Sequence, residues 1–199
     1  MDPAAIRDAL VAPWRHGRHV DLRDVTVDGP LDLAGLDLTG VDFSGARFPS
    51  GIDATGARFL GLAWFRGVEF GGPARFGGAV FHNDARFEDV RFARDASFRQ
   101  TEFRGIGLFD RARFSAGADF AGMVGFGNFS LHEAALQGQT GFAGAEWLGG
   151  FWADGASFPA EADFEDVQAH GRVWVRRARR GNAPLGLPET GIAFGYTYS

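Results

Sequence analysis

The chain has 199 residues, enough for one domain with a continuous core, and 45% of them are hydrophobic, which excludes a chain disordered by composition. It has no cysteine, which excludes disulfides, thiolate zinc sites and cysteine nucleophiles. The net charge of −5 hides an uneven spread: residues 20–170 hold 12 arginines against 22 acidic residues, whereas residues 171–199 hold five arginines and one glutamate.

In chain order, residues 2–14 predict a helix. Asp2 is suited to cap it, Pro3 fits the first helical position, and Ile6, Leu10 and Trp14 lie on one stripe. The first 20 residues lack the long apolar run of a secretory signal, and no stretch approaches the ~18 apolar residues of a membrane span. The expectation is a cytoplasmic protein without membrane contact.

Repeats begin near Val20. Phe48, Phe59, Phe70, Phe81, Phe92, Phe103 and Phe114 are eleven residues apart, and Phe65, Phe76, Phe87, Phe98, Phe109 and Phe120 keep the same period. The series interleave at steps of five and six, and a small residue (Ala46, Ala57, Ala85, Ala96) stands two positions before most of these centres. Such a period marks stacked, near-identical units. A helical reading fails, because a five-residue step turns a helix by roughly 140° and separates the two series onto different faces. The frequent glycines would also cost a helix about 1 kcal/mol each. Short extended segments ending in glycine-containing corners fit better. The rhythm slips after Phe120: with Phe126 as a centre, residues 122–139 read as a bulge or loop. It returns at Trp147, Ala153, Phe158 and Phe164, and ends before Arg176. Residues 181–188 form a turn-rich linker, and Ile192, Phe194, Tyr196 and Tyr198 alternate as in a short strand.

The units "LDLAG", "LDLTG", "VDFSG", "ARFGG" and "ADFAG" resemble those of the pentapeptide-repeat family, and "ARFEDVRFARD" resembles a Phe-rich subclass of it with alternating five- and six-residue steps. The resemblance implies an all-β fold: a right-handed quadrilateral β-helix with four units per coil, centres pointing inward. About seven coils would span residues 20–175, between a capping helix at 1–19 and a non-repeat tail at 176–199 that serves as a cap or dimerisation segment. A rod of roughly 34 Å follows from the strand spacing.

Asp21, Asp32, Asp37 and Asp42 precede their centres. They are either the ordinary family residue there or an acidic surface imitating DNA phosphates, as the resemblance to gyrase-binding, quinolone-resistance members implies. Arg47, Glu69, Arg91 and Arg113 form a mixed column, a poor phosphate mimic. Trp64, Arg86 and Leu108 share one outward column, a candidate partner contact because Trp and Arg dominate interface hot spots. Arg172, Arg176, Arg177, Arg179 and Arg180 are the densest basic cluster, open to an acidic surface, nucleic acid or a second copy. Nothing in the sequence has metal-ligand, cofactor-binding or catalytic spacing. The reading is a non-enzymatic scaffold for an unidentified protein partner, without direct nucleic-acid binding. The alternative is a DNA-mimicking modulator of gyrase. By analogy with the family, a homodimer through the C-terminal end is expected, built on Ile192, Phe194, Tyr196 and Tyr198.

Overall fold

The structure is a computed structural model and describes residues 1–186 and the backbone of 193 and 194. After one helix, α1 (Pro3–Leu10), the described residues form short parallel strands that stack into four sheets. The chain visits the sheets in rotation, so they are the sides of a four-sided solenoid. Face 1 runs from His19–Asp21 through Ala63–Trp64 and Ala85–Arg86 to Arg172–Trp174, eight strands and therefore seven turns. Face 2 runs from Arg47–Phe48 to Arg179–Arg180, face 3 from Leu31–Asp32 to Thr140–Gly141, and face 4 from Asp37–Leu38 to Gln168–Ala169. The register sets the coil length: in the first coil each residue faces one 21 positions on, as His19 does Gly40 and Asp37 does Arg58, and in the coils from Val41 to Arg180 one 22 positions on, as in Arg86 against both Trp64 and Leu108.

A two-residue strand buries too little to hold on its own, so stability comes from stacking. Backbone hydrogen bonds run from coil to coil, for example Phe87 N–H to Leu108 O at 2.7 Å. Inside, the phenylalanines of the middle coils stack on their equivalents in the next coil wherever that position is also phenylalanine. Phe65–Phe87 and Phe87–Phe109 have centroids 4.7 Å apart and planes within 2°. Each also meets a ring from another face edge-on, as Phe87 does Phe76 at 5.5 Å and 82°. Such pairs contribute about 0.5–1.5 kcal/mol beyond the apolar area they bury.

The alternating steps have a conformational cause. The corners after faces 1 and 3 take five-residue steps and place a residue with positive φ two positions after the centre. Gly67 holds φ 64° there, and one coil later Asp89 tolerates 58°. Asp before the centre serves the same corner: Asp32 Oδ1 accepts from Ala34 N–H at 3.0 Å and Asp42 Oδ1 from Ser44 N–H at 2.9 Å. The family residue at this position is thus a local turn former.

Four sequence expectations change. First, the rhythm does not break at residues 122–139. Phe103 pairs with Gly125 and Gly125 with Trp147, so Gly125 is the centre and Phe126 lies outside. The missing ring is supplied from the neighbouring face by Phe129, which occupies the position of Gly107 in the coil before. A β-carbon on Gly107 would lie 2.9 Å from the Phe129 ring. Second, the ladder continues past Arg176, with Arg179 opposite Ser157 and an antiparallel return at Ala183–Pro184. Third, α1 stops at Leu10; Ile6 and Leu10 are buried against the first coil, whereas Trp14 is exposed. Pro13 accounts for the early end, because the residue before a proline is pushed out of the helical region. Fourth, Asp21, Asp32, Asp37 and Asp42 form no continuous stripe. Asp21 and Asp42 are on face 1, Asp32 on face 3 and Asp37 on face 4. In the tail, the backbone of Ala193–Phe194 pairs parallel with Gln168–Ala169 on face 4. Ile192, Tyr196 and Tyr198, and the side chain of Phe194, lie outside the described residues.

Candidate docking surface along face 1

One position per strand projects outward, so a column of outward residues is fixed by the 22-residue register. On face 1 it reads Asp21, Asp42, Trp64, Arg86, Leu108, Ser130, Trp152 and Trp174. Trp64, Arg86 and Leu108 are therefore adjacent, each half-buried. The Arg86 guanidinium carbon sits 5.7 Å from the centroid of the Trp64 ring, a cation–π geometry. Arg86 also approaches Glu88 at 3.7 Å, and the His19 ring lies 6.4 Å from Trp64. The start of the column is thus largely occupied by its own neighbours.

The later part is open. Among the described residues Ile106, Phe126, Leu148 and Trp174 are the exposed large apolar side chains outside the N-terminal segment, Phe126 at 48% and Trp174 at 50%. All four lie on face 1 or on the corner leading to it from face 4. Phe126 and Leu148 follow the paired centres Gly125 and Trp147, so they are one coil apart. Ile106 immediately precedes the strand Gly107–Leu108. With Leu108, Trp152 and Trp174 they make an apolar strip along one side of the rod, interrupted at Ser130, where monomeric proteins normally scatter such residues singly. The sequence carried the signal: 104, 126 and 148 share one column at the 22-residue period. Residue identity hides that column, because a phenylalanine six residues after Phe120 reads as a core position.

Glycines at 105, 127, 149 and 171 run beside the strip, and stacking alone requires them. A β-carbon on Gly127 would lie 2.4 Å from the carbonyl oxygen of Gly105.

The charges near the strip divide into paired and unpaired. Glu102 accepts from Arg104 at 3.0 Å and Glu146 is 2.9 Å from His170. Arg172 and Arg176 alternate with Trp174 on the outer side of the last coil; all three are exposed, and neither arginine makes an ion pair among the described residues. Elsewhere in the basic cluster Arg177 is engaged by Asp154 at 2.6 Å, and this hydrogen bond holds the Asp154 carboxyl below its ordinary range. Arg179 and Arg180 donate to backbone carbonyls of Asn182 and Ala160.

The acidic set is less available. Arg23 holds Asp21 through its side chain at 2.9 and 2.6 Å, lowering that carboxyl to about 2. Asp42 is buried and Asp37 lies 3.3 Å from Arg58. The mixed column of face 2 is also paired, Arg47 and Arg91 reaching Glu69 from either side at 3.4 and 3.0 Å. No group of three or more His, Cys, Asp or Glu that could hold a metal occurs among the described residues, and no helix among them is long and apolar enough to cross a membrane.

A four-sided parallel solenoid of five- and six-residue units with one inward ring per unit defines a class of repeat protein. Residues 35–80 and 76–124 match a family model described as pentapeptide repeats (9 copies), which supports a pentapeptide-repeat protein. The match ends where Gly125 replaces the inward phenylalanine. A search of curated proteins found no match.

Proposed function

We propose that this protein is a non-enzymatic docking scaffold whose contact surface is the apolar strip of face 1, from Trp64, Arg86 and Leu108 to Trp174. The observation that carries the reading is the clustering of Ile106, Phe126, Leu148 and Trp174 on one side of a rod whose other outward columns are mostly polar or ion-paired and carry no exposed large apolar side chain among the described residues. Solenoids offer their stacked columns as extended binding surfaces. Trp and Arg, the residues that dominate hot spots, recur on this one.

The test is capture of interacting protein by the purified full-length chain, compared with a Phe126→Glu/Trp174→Glu variant and an Arg47→Glu/Arg113→Glu variant on face 2. The reading expects a partner retained by the wild type and the face 2 variant and lost by the strip variant, with unchanged circular dichroism for all three. Equal retention by all three contradicts it. Modulation of gyrase through an acidic surface is the competing reading, and the dispersal of Asp21, Asp32, Asp37 and Asp42 over three faces weighs against it. A supercoiling assay decides that point: no strong inhibition is expected at low micromolar protein.

A further inference from the structure

We infer that the strip receives an acidic amphipathic helix of a partner protein, its apolar side against Phe126, Leu148 and Trp174 and its carboxylates against Arg172 and Arg176. This rests on the scaffold reading above and names the chemistry of the occupant.

Three observations define that chemistry. The first concerns backbone. The strands of face 1 from Gly40–Asp42 to Gly150–Trp152 have neighbours on both sides, so the flank that carries Phe126 and Leu148 presents no free edge and a partner strand cannot add there by main-chain hydrogen bonds; among the described residues the C-terminal edge of the sheet is its last strand, Arg172–Trp174. Recognition along that flank must therefore be made by side chains. The second is the axial repeat. Successive coils stand ~4.8 Å apart, close to the ~5.4 Å pitch of an α-helix. Residues at i, i+3 or i+4, and i+7 of a helix laid along the rod then meet successive coils. From the coil of Ile106 to that of Trp174 is three steps, ~14 Å, the length of about ten helical residues. The third is charge. The acidic groups beside the strip are engaged, Glu102 by Arg104, Glu146 by His170 and Asp84 by the Ile106 N–H at 3.0 Å. Arg172 and Arg176 flank the exposed Trp174 without ion pairs among the described residues. The surface therefore offers positive charge at one end of an apolar strip.

The chain itself shows how this corner accepts an aromatic residue. At the N-terminal end of the same corner, Trp14 lies over Gly61, its Nε1 2.8 Å from where a β-carbon would stand. The coils of Phe126 and Leu148 present the equivalent corner with no such covering, and their side chains are exposed. A nucleic-acid strand would also meet Arg172 and Arg176, but it gives no role to Ile106, Phe126 and Leu148.

The experiment is fluorescence anisotropy on the full-length chain with four labelled probes. They are a 14-residue peptide with Leu at helical i, i+3, i+7 and i+10 and Glu on the other face, its Lys counterpart, the Glu peptide with a central proline, and a fifteen-residue oligo-dT. The expected result is binding of the Glu peptide at least tenfold tighter than the other three, weakened at least tenfold by Trp174→Ala. Arg172→Glu/Arg176→Glu, both exposed positions, should reverse the preference in favour of the Lys peptide, which keeps the test decisive if Trp174→Ala fails to fold. Equal affinity for the Glu and Lys peptides, insensitivity to the double charge reversal, tightest binding of the oligo-dT, or no binding of the Glu peptide overturns the inference. A partner captured through the strip by other chemistry would leave the scaffold reading standing, so the two fail separately.

Discussion

The middle coils and the last three coils share one backbone plan and fill it differently. Between Phe48 and Phe120 nearly every centre is phenylalanine, with a small residue two positions before it, and the rings form uninterrupted ladders. From Gly125 onward the sizes are exchanged. Gly125, Ala153 and Ala169 are centres, while Phe129 and Phe151 stand at positions that are small elsewhere, and Trp147 stacks on Phe151 at 3.9 Å. The backbone registers are unchanged across this switch. The coil therefore specifies how much volume each layer holds more strictly than which strand supplies it. The later region is also where the exposed strip lies, and where the Trp147 Nε1–H is buried without a hydrogen-bond partner among the described residues.

The strongest way to break this comparison is within the regular ladder. Phe92→Ala removes a ring packed between Phe70 and Phe114 and should cost roughly 3–5 kcal/mol, measured by denaturant unfolding. Next comes the rearranged layer. Gly125→Phe restores the repeat residue, but its β-carbon would already be in contact with Trp147 Cδ1 at 3.4 Å and Phe129 Cβ at 3.5 Å, and the ring beyond it overfills the layer, so it should destabilise by about 1–3 kcal/mol. Adding Phe129→Ala should recover part of that loss. If the single change is neutral, volume exchange is not what holds the layer.

A smaller effect is expected with pH. Asp21, at about 2, and Asp89 and Asp154, lowered by hydrogen bonds from Arg111 and Arg177, titrate below the ordinary 3.8 in the folded chain. The unfolded chain therefore takes up protons first. The contribution of these groups is complete above about pH 4 to 5 and is lost as the pH falls through 4 towards 2. His82, lowered by burial and then by Arg104, adds a shallow loss beginning below 6.5. Melting temperature should therefore decline gently from pH 7 to 5 and more steeply below 4. The smallest effects belong to the surface: Arg91→Ala and Phe126→Ser should each change stability by no more than about 0.5 kcal/mol in a thermal melt. A large loss for Phe126→Ser would return that side chain to the core.

The middle coils were legible because one residue type recurred at a fixed spacing, and the inward–outward alternation of Phe92 and Arg91 followed directly from it. The later coils obscured the same register, because reading by residue identity selected Phe126 where backbone position selects Gly125. For the same reason the column of Trp64, Arg86 and Leu108 was readable but the separate column of Phe126 and Leu148 on the neighbouring corner was not. The acidic residues illustrate a different limit. Asp32, Asp37 and Asp42 are five apart in sequence, and five residues advance the chain by one side of the square, so proximity along the chain placed them on separate faces.

The most direct test of the docking strip is a photo-crosslinking scan by face. A crosslinking amino acid is placed singly at Leu108, Phe126, Leu148 or Trp174, and at Arg47, Arg91 or Arg113, in the full-length chain within its native host. The account predicts one common crosslinked species from the first four positions and none from the other three. Equal crosslinking from both sets, or crosslinks confined to face 2, would contradict it.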